Sequence, residues 1–282
     1  MLETTQTVPA DHFGFAYLLH EALTRPGIIS EAYRAFHRYS VGNQILAAMQ
    51  LLERDMHLSP IASFNTWRER SRHVQKGEKA LALWMPLTTK REDEETGEVS
   101  LHTRFALRRN WFSLDQTEGE PYAPELQSPL WDSAKALGTL DIQEVCFDAL
   151  DGNIQGHSRG RTLAINPLAT LKHKTRFHEL AHIVLGHTDG RLIVDAERPT
   201  PAVAEVEAEG TAYLLCAILG LPGLDESRGY IQHWLANEAL LDSTARRIFV
   251  AANAILKAGA PLSSEGRASG TATPRRGDVT AA

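Results

Sequence analysis

The sequence predicts an α+β fold in two parts: N-terminal helices with a small antiparallel sheet, then a domain organised around one helix that carries an HExxH motif. The first observation is helical spacing of apolar residues before position 55, followed by strand-like runs at 80–86, 99–107 and 110–114. The second is the set of apolar residues between and after the motif histidines, which predicts that the motif helix, expected over 168–185, is buried; they are Leu180, Ala181, Ile183, Val184 and Leu185.

The N-terminal helices are predicted at three places in order along the chain, namely 11–25, 30–38 and about 45–52. The first ends at Arg25-Pro26-Gly27, because proline and glycine interrupt helices. The acidic stretch 92–98 predicts a hairpin tip between the first two strands. Helices and hairpin together predict a first domain over residues 1–120.

A proline-containing stretch without a clear period, 121–132, is the predicted linker. The second domain is predicted over 133–258, and residues 259–282 have the composition of a disordered tail. The predicted elements of the second domain are a helix at 133–137, strands at 144–147 and 161–167, the HExxH helix, a buried helix at 203–219 and two closing helices at 230–235 and 243–256.

Composition excludes several classes of protein. The 282 residues carry a net charge of −6 and are 43% hydrophobic, which is typical of a globular protein and not of one coated with positive charge. The sequence lacks both an apolar run of about 18 residues and a signal-peptide pattern, so a cytoplasmic protein without a membrane span is expected. Cys146 and Cys216 are predicted to be buried free thiols.

Positive charge is concentrated in one part of the chain. Between residues 61 and 91 seven basic residues stand against two acidic ones, and most lie in 64–79, which we call the basic segment. Aromatic residues such as Trp67 are interleaved with them, a pattern that suits phosphate binding and base stacking on a single strand. The alternative, that the rings are core and the charges solvated, is favoured by composition alone.

The HExxH motif consists of His178, Glu179 and His182. Histidines four residues apart share one helix face, which suits two ligands of one metal ion, and the glutamate beside them can take a proton from a water on the metal. The alternative is a surface helix with two solvated histidines. The apolar residues around the motif favour a buried metal site, with Zn²⁺ as the expected ion.

A catalytic zinc site needs a third protein ligand, and Glu205 and Glu209 are the candidates. The two lie four apart on one helix face, so one can bind the metal while the other hydrogen-bonds a histidine ligand. His187 follows His182 by five residues and is expected off the metal face, as a helix cap or substrate contact. The expected chemistry is zinc-assisted peptide hydrolysis with Glu179 as the general base.

The first half of the chain resembles the N-terminal single-stranded-DNA-binding domain of ArdC-type antirestriction proteins. The matching pieces are 39–46, 64–67, 74–79 and 112–119. The resemblance implies DNA contacts at Trp67, Arg68, Arg70, Arg72, Lys76, Lys79 and Asn43. One departure is Ser71, where members often carry glycine.

The second half resembles the zincin-like metallopeptidase domain that accompanies it, more distantly related to ImmA/IrrE-type peptidases, through 177–182, 205–209, 230–232 and 245–249. Analogy with gluzincins favours Glu205 as the metal ligand and Glu209 as the carboxylate that supports a histidine ligand, with Glu209 as the alternative metal ligand. In the zincin order, a strand before the HExxH helix forms the sheet edge to which a peptide can add.

The resemblance implies a mobile-element protein that binds single-stranded DNA, shields incoming DNA from restriction and carries a zinc peptidase site. Two alternatives stay open: a regulatory zinc protease that cuts a repressor or restriction-related protein, and a non-catalytic DNA-binding protein with structural zinc. The protein substrate, the oligomeric state and binding to duplex DNA are also left open.

Overall fold

The structure is a computed structural model that describes residues 14–92, 99–123, 129–149, 151, 153–188, 199–237 and 240–261. These residues form helices and small, mainly antiparallel sheets, so the predicted α+β class is confirmed. Residues 93–98 of the hairpin tip predicted at 92–98, residues 262–282 of the tail predicted at 259–282 and the first residues of the first helix lie outside the described residues.

The described part of the first half opens with three helices, α1 (Phe15–Thr24), α2 (Ile28–Phe36) and α3 (Val41–Leu52), close to where the sequence predicts them. Gly27 takes a φ of 84° at the start of α2, a left-handed conformation that glycine adopts without strain. Helix α3 is buried along residues 41–51 and forms the centre of this half.

The sheet that follows contains β1 (Ile61–Ser63), β3 (Leu81–Glu92) and β4 (Val99–Ser113) in the antiparallel order β1-β4-β3. The prediction of two strands at 99–107 and 110–114 is wrong, because β4 is continuous. Its register shifts by one residue at Asn110, so a β-bulge absorbs the polar residues that suggested a break. Between β1 and β3 lie α4 (Phe64–Glu69) and β2 (Arg72–Val74), and β2 pairs with β5 (Thr117–Gly119).

The second half begins with α5 (Ser133–Leu140) and a sheet of β6 (Gln143–Glu144), β7 (Gly156–Arg159) and β8 (Thr162–Ile165). The strand predicted at 144–147 is much shorter, and Cys146 is exposed rather than buried. The sheet order is β6-β8-β7, so the strand directly before the HExxH helix is central and β6 and β7 are the edges of the described sheet. The helices are α6 (Lys172–Val184), α7 (Pro201–Leu219), α8 (Leu224–Asn237) and α9 (Asp242–Gly259).

One hydrophobic core includes residues of both halves. Helix α7 is buried from Val206 to Ile218, and α9 packs against α1, α3, α5 and α7. At the end of the predicted linker, the Trp131 ring packs on Phe177 with centroids 4.8 Å apart, and its indole N–H donates to the Ile255 carbonyl at 2.9 Å. The two halves are therefore joined by shared packing as well as by the chain.

No helix in the described ranges is long and apolar enough to cross a membrane.

Candidate metal centre and basic segment

Helix α6 presents the HExxH side chains on one face and an apolar face to the core. It begins at Lys172 rather than at the predicted Leu168, because the Asn166 side chain accepts the Leu168 N–H at 2.9 Å and holds a turn before the helix. Phe177, Leu180, Ala181 and Ile183 are buried and hold the helix in place.

Three side chains converge at this face, as the motif and the glutamate pair predict. The Nε2 atoms of His178 and His182 are 3.1 Å apart, and the Glu205 carboxylate lies 3.3 Å from the first and 3.5 Å from the second. All three offer a ligand atom within 4.8 Å of one another. Helices α6 and α7 therefore assemble two imidazoles and one carboxylate, a donor set that suits zinc or another divalent transition metal.

Glu209 lies behind His178 rather than at the ligand position. The Nδ1 atom of His178 is 3.1 Å from one Glu209 oxygen, and the Lys174 ammonium is 2.7 Å from the other. Burial acts to raise the pKa of Glu209, but hydrogen bonds from His178, Lys174 and Ser227 outweigh it and lower the pKa to about 2. Glu209 is thus an ionised carboxylate that orients the first histidine.

The two histidines have opposite proton affinities. Burial acts to lower the pKa of His178, but its hydrogen bonds to Glu205 and Glu209 raise it to about 9. Burial and the neighbouring charge of His178 lower the pKa of His182 to about 4. His178 is therefore the ring that must release a proton before a metal can bind at both Nε2 atoms.

Glu179 is buried on the β7 side of α6. Burial raises the pKa of Glu179, and the Ser158 hydroxyl, which donates to its Oε2 at 2.7 Å, acts in the opposite direction. Ser158 lies on β7, so the edge strand holds the proposed base in place. The sequence analysis missed Ser158, because nothing in its local pattern distinguishes it from other strand residues.

A second missed group lies on the far side of His182. The Nδ1 atoms of His182 and His187 are 3.0 Å apart, and Nε2 of His187 is 2.9 Å from the buried carboxylate of Glu207. Arg247 on α9 donates to Glu207 at 2.7 Å. The expectation that His187 is a cap or a substrate contact is incomplete, since its ring contacts His182 of the HExxH motif. The sequence did contain a signal for this group, because Glu207 is a charged residue within the apolar part of α7 and needs a polar partner there.

Three of the predicted DNA contacts are structural residues. Trp67 is 0% exposed and its indole N–H donates to the Phe112 carbonyl at 2.9 Å, so the prediction of a ring free to stack on a base is wrong. Arg72 is 9% exposed, and its guanidinium donates to the Thr117 hydroxyl and carbonyl at 2.8 Å each. Asn43 exchanges two hydrogen bonds with the Trp84 backbone.

Neither Arg72 nor Asn43 is therefore available for a phosphate. Arg68, Lys76 and Lys79 are exposed, as a nucleic-acid contact requires. The structure does not bring the seven predicted contacts together on one surface.

Arg70, within the basic segment, lines a cleft of the first half. Its guanidinium lies over the Tyr122 ring at 4.8 Å from the centroid, and 5.5 Å from that of Trp67. A cleft of about 980 Å³ opens here between α2, the end of α3 and β1, and its lining includes Arg34, Arg38, Tyr39, Arg70, Trp111 and Tyr122. Cations and aromatic rings therefore share one concave surface.

The family comparison matches the first half of the chain. Residues 22–117 match the family model of the N-terminal domain of anti-restriction factor ArdC. An uncharacterized protein of Bacillus anthracis is 26% identical over 258 residues, which cover 72% of this chain and 41% of that protein. The chain therefore spans less than half of the length of this relative.

Two similar solved structures share the fold over most of the chain. They are crystal structures of antirestriction ArdC protein from the R388 plasmid, one metal-free and one Mn(II)-bound, each with a TM-score of 0.50 and 22% identity. They match 86% and 88% of this chain, respectively, and 94% of the R388 chain in both cases. Residues 22–117 therefore match the N-terminal domain of ArdC, and most of the chain shares the fold of the R388 protein.

Proposed function

We propose that the α6–α7 centre binds a divalent metal, with Zn²⁺ as the expected ion, and hydrolyses an amide bond. The observation that carries this proposal is the convergence of His178, His182 and Glu205 within 4.8 Å. Two histidines and a glutamate are the protein ligands of one class of catalytic zinc site, which keeps one coordination position for water or substrate.

The surroundings of the three side chains fit such an ion. Both histidines have their Nδ1 atoms in hydrogen bonds, to Glu209 and His187, so both point Nε2 at the same place. Glu205 is half exposed, which leaves a route for an ion or substrate from solvent. The Mn(II)-bound form of the R388 protein supports a divalent site in this fold.

A divalent metal held here supplies a Lewis acid that polarises a carbonyl and acidifies water. Glu179 then acts as the general base that takes the proton of the attacking water and gives it to the leaving nitrogen. Ser158 fixes one Glu179 oxygen by its 2.7 Å hydrogen bond, which leaves the other oxygen for the proton. Burial of Glu179 raises its pKa toward the range in which such transfer is efficient.

Strand β7 is the surface on which a peptide substrate would lie. It is an edge strand of the described sheet, packs on α6 and carries Ser158. An extended peptide that pairs with this edge brings its carbonyl groups alongside the metal-binding face. This moves the expected peptide-binding edge from the strand directly before α6 to β7.

The test compares wild type with Glu179→Gln and, as a control on an exposed residue, Glu226→Gln. Each protein is loaded with Zn²⁺ or Mn²⁺ and incubated with a mixed peptide library, and new termini are read by mass spectrometry. We expect Glu179→Gln to retain metal and to lose cleavage by roughly 10²–10⁴-fold. Equal cleavage by wild type and Glu179→Gln contradicts hydrolysis at this centre.

We infer further that the chain acts in antirestriction, as the R388 relative is named to do. Transformation of a restricting host with unmodified DNA, with and without this protein, measures that activity. Protection that survives in Glu179→Gln makes catalysis dispensable and favours the non-catalytic protein with a structural metal. Protection lost together with a cleavage product favours the regulatory protease.

A second proposed function is binding of single-stranded DNA by the first half, inside the cytoplasm. Its support is the cleft of about 980 Å³ that carries Arg34, Arg70 and Tyr122, together with the exposed Arg68 and Lys76. Guanidinium groups neutralise phosphates, and aromatic rings stack on unpaired bases.

Fluorescence anisotropy with a labelled oligonucleotide, over a series of salt concentrations, tests this second function. We expect Lys76→Gln to weaken binding and to reduce the salt slope by about one. Tyr122→Ala should weaken binding of a normal strand and leave an abasic strand of equal length unaffected, because only the normal strand offers bases. An absence of salt-dependent binding by the wild type contradicts the proposal.

A further inference from the structure

We propose that Arg247, Glu207 and His187 form a hydrogen-bonded relay that fixes the ring tautomer of His182 and thereby sets the metal affinity of the α6–α7 centre. The relay starts on α9, crosses α7 and ends on the ring edge of His182 that faces away from Glu205. This inference rests on the proposed metal site and adds three positioning residues to it.

The first step is the charge of Glu207. Its side chain is 1% exposed, and Arg247 Nε donates to one of its oxygens at 2.7 Å. A buried carboxylate next to a guanidinium is held in the ionised form, because the pair compensates the loss of water. An ionised carboxylate can only accept hydrogen bonds, so its other oxygen requires a donor.

The second step is the proton on His187. Its Nε2 lies 2.9 Å from the second Glu207 oxygen, so Nε2 carries the hydrogen. The Arg247 Nη2 atom also approaches Nε2, but at 3.4 Å, while it donates to the Leu185 carbonyl at 3.0 Å. Because the contact with the charged Glu207 oxygen is the shorter of the two, Nε2 of His187 donates to Glu207 and does not accept from Arg247. A neutral His187 with its hydrogen on Nε2 has a lone pair on Nδ1.

The third step reaches His182. Its Nδ1 is 3.0 Å from Nδ1 of His187, and two nitrogens at this distance need one donor and one acceptor. Because His187 accepts, His182 donates from Nδ1 and has a bare Nε2. That is the tautomer that binds a metal through Nε2 and that lies 3.1 Å from Nε2 of His178.

Backbone geometry holds His187 in this position. Gly186 takes a φ of 77°, which ends α6 and turns the chain back on itself. The His187 N–H then donates to the His182 carbonyl at 2.9 Å, and Arg247 fixes the neighbouring Leu185 carbonyl. The imidazole is 5% exposed, so water does not compete for its nitrogens.

The two metal-site histidines are therefore supported in different ways. His178 contacts its carboxylate, Glu209, directly, whereas His182 reaches Glu207 through a second imidazole. Loss of such a supporting hydrogen bond reduces metal affinity by roughly 10–100-fold in other sites. The relay is expected to contribute an effect of that size.

The first measurement uses the full chain without metal, labelled with ¹⁵N-histidine. Ring ¹⁵N shifts report the tautomer, and His182→Asn assigns the signal by removing it. We expect His182 in the wild type to carry its hydrogen on Nδ1, and to lose that preference in His187→Leu. A His182 ring with its hydrogen on Nε2 in the wild type overturns the proposal, and this readout needs no relay variant to fold.

The second measurement is a titration with Mn²⁺ alone, followed by the EPR signal of the free ion, with folding of each variant checked by its Tm. We expect the Kd to rise about 10–100-fold in His187→Leu and less in His187→Gln, whose amide oxygen can still accept from His182. The control His173→Leu, on the exposed start of α6, should stay within about twofold of wild type.

The outcomes of the two measurements are separable. A folded His187→Leu with wild-type Mn²⁺ affinity overturns the relay and leaves the metal site intact. A wild type that binds no Mn²⁺ contradicts the proposed function, while the tautomer of His182 still decides whether the relay exists.

Discussion

The HExxH helix and the basic segment were both predicted as functional sites, and they fold into different kinds of structure. On α6 the predicted side chains converge with Glu205 within 4.8 Å. In the basic segment Trp67 and Arg72 lie in the interior, while Arg68 and Lys76 point to solvent. One set of predicted residues forms a site, and the other divides between core and surface.

The difference follows from the local backbone. Residues four apart on a continuous helix are neighbours whatever the rest of the fold does, so the motif alone fixes most of the geometry. The basic segment passes from α4 through a turn into β2 within a few residues. Successive side chains there point in different directions, and composition does not tell which of them face water.

The largest expected effect concerns the division of roles between Glu205 and Glu209. Glu205→Ala removes a proposed ligand, so Mn²⁺ affinity should fall by more than the roughly 10–100-fold typical of a lost supporting residue. For Glu209→Ala the loss of Mn²⁺ affinity should lie within that range, because the substitution removes only the support of His178. Competition titrations with a chelator measure both values.

The relative losses of affinity in these two variants test the assignment of Glu205 as ligand and Glu209 as support. Equal losses in Glu205→Ala and Glu209→Ala would mean that both carboxylates bind the ion. Glu226→Gln, on an exposed part of α8, is the control for nonspecific charge effects.

Trp67 provides the next largest effect, this time on stability. Trp67→Ala should reduce the free energy of unfolding by about 3–5 kcal/mol, because it empties a fully buried position and removes the hydrogen bond to Phe112. Denaturant titration measures the change, and Phe64→Ala, at a ring that is 40% exposed, is the matched control. A stable Trp67→Ala protein that binds DNA less tightly would restore the stacking role.

The fold could be predicted from the sequence where periodicity was strong. Helices α1 to α3, α6 and α7 lie close to their predicted positions, because apolar spacing over two or more helical turns indicates a buried face. The break predicted within β4 was wrong, since the bulge at Asn110 lets exposed polar residues continue the strand. Cys146 was misplaced because apolar neighbours in sequence do not establish burial.

Only the residues of the candidate site that are related by helical spacing could be predicted from the sequence. His178 and His182, with the glutamates of α7, follow from the spacing of residues on helices. Ser158 and the relay to Arg247 depend on contacts between elements far apart in sequence, 40 residues in the case of Glu207 and Arg247. Gly186 turns His187 back onto α6, so its contact with His182 does not follow from helical spacing.

Arg72 and Arg68 give a smaller but sharper contrast within the basic segment. Arg72→Ala should destabilise the protein by about 2–3 kcal/mol, because it removes a charged donor from several buried or half-buried acceptors. Arg68→Ala, at an exposed position, should change stability by less than about 0.5 kcal/mol.

Thermal unfolding and oligonucleotide binding, measured on both variants, separate the two roles. Arg68→Ala should weaken DNA binding, and folded Arg72→Ala should not. The reverse pattern would place the DNA contact at Arg72 and contradict the structural role given to it.

The smallest effect tests the turn between these two arginines. Ser71 has a φ of 58°, a left-handed conformation that costs a residue with a side chain roughly 1–2 kcal/mol. Ser71→Gly should stabilise the protein by about 0.5–1 kcal/mol, since the relief of strain exceeds the added freedom of the unfolded chain.

The control for Ser71→Gly is Gln75→Gly, in the same segment but without a positive φ, which should destabilise by about 0.5–1 kcal/mol. Denaturant midpoints of the two variants should therefore move in opposite directions. Two shifts of the same sign would mean that the turn at Ser71 is not strained.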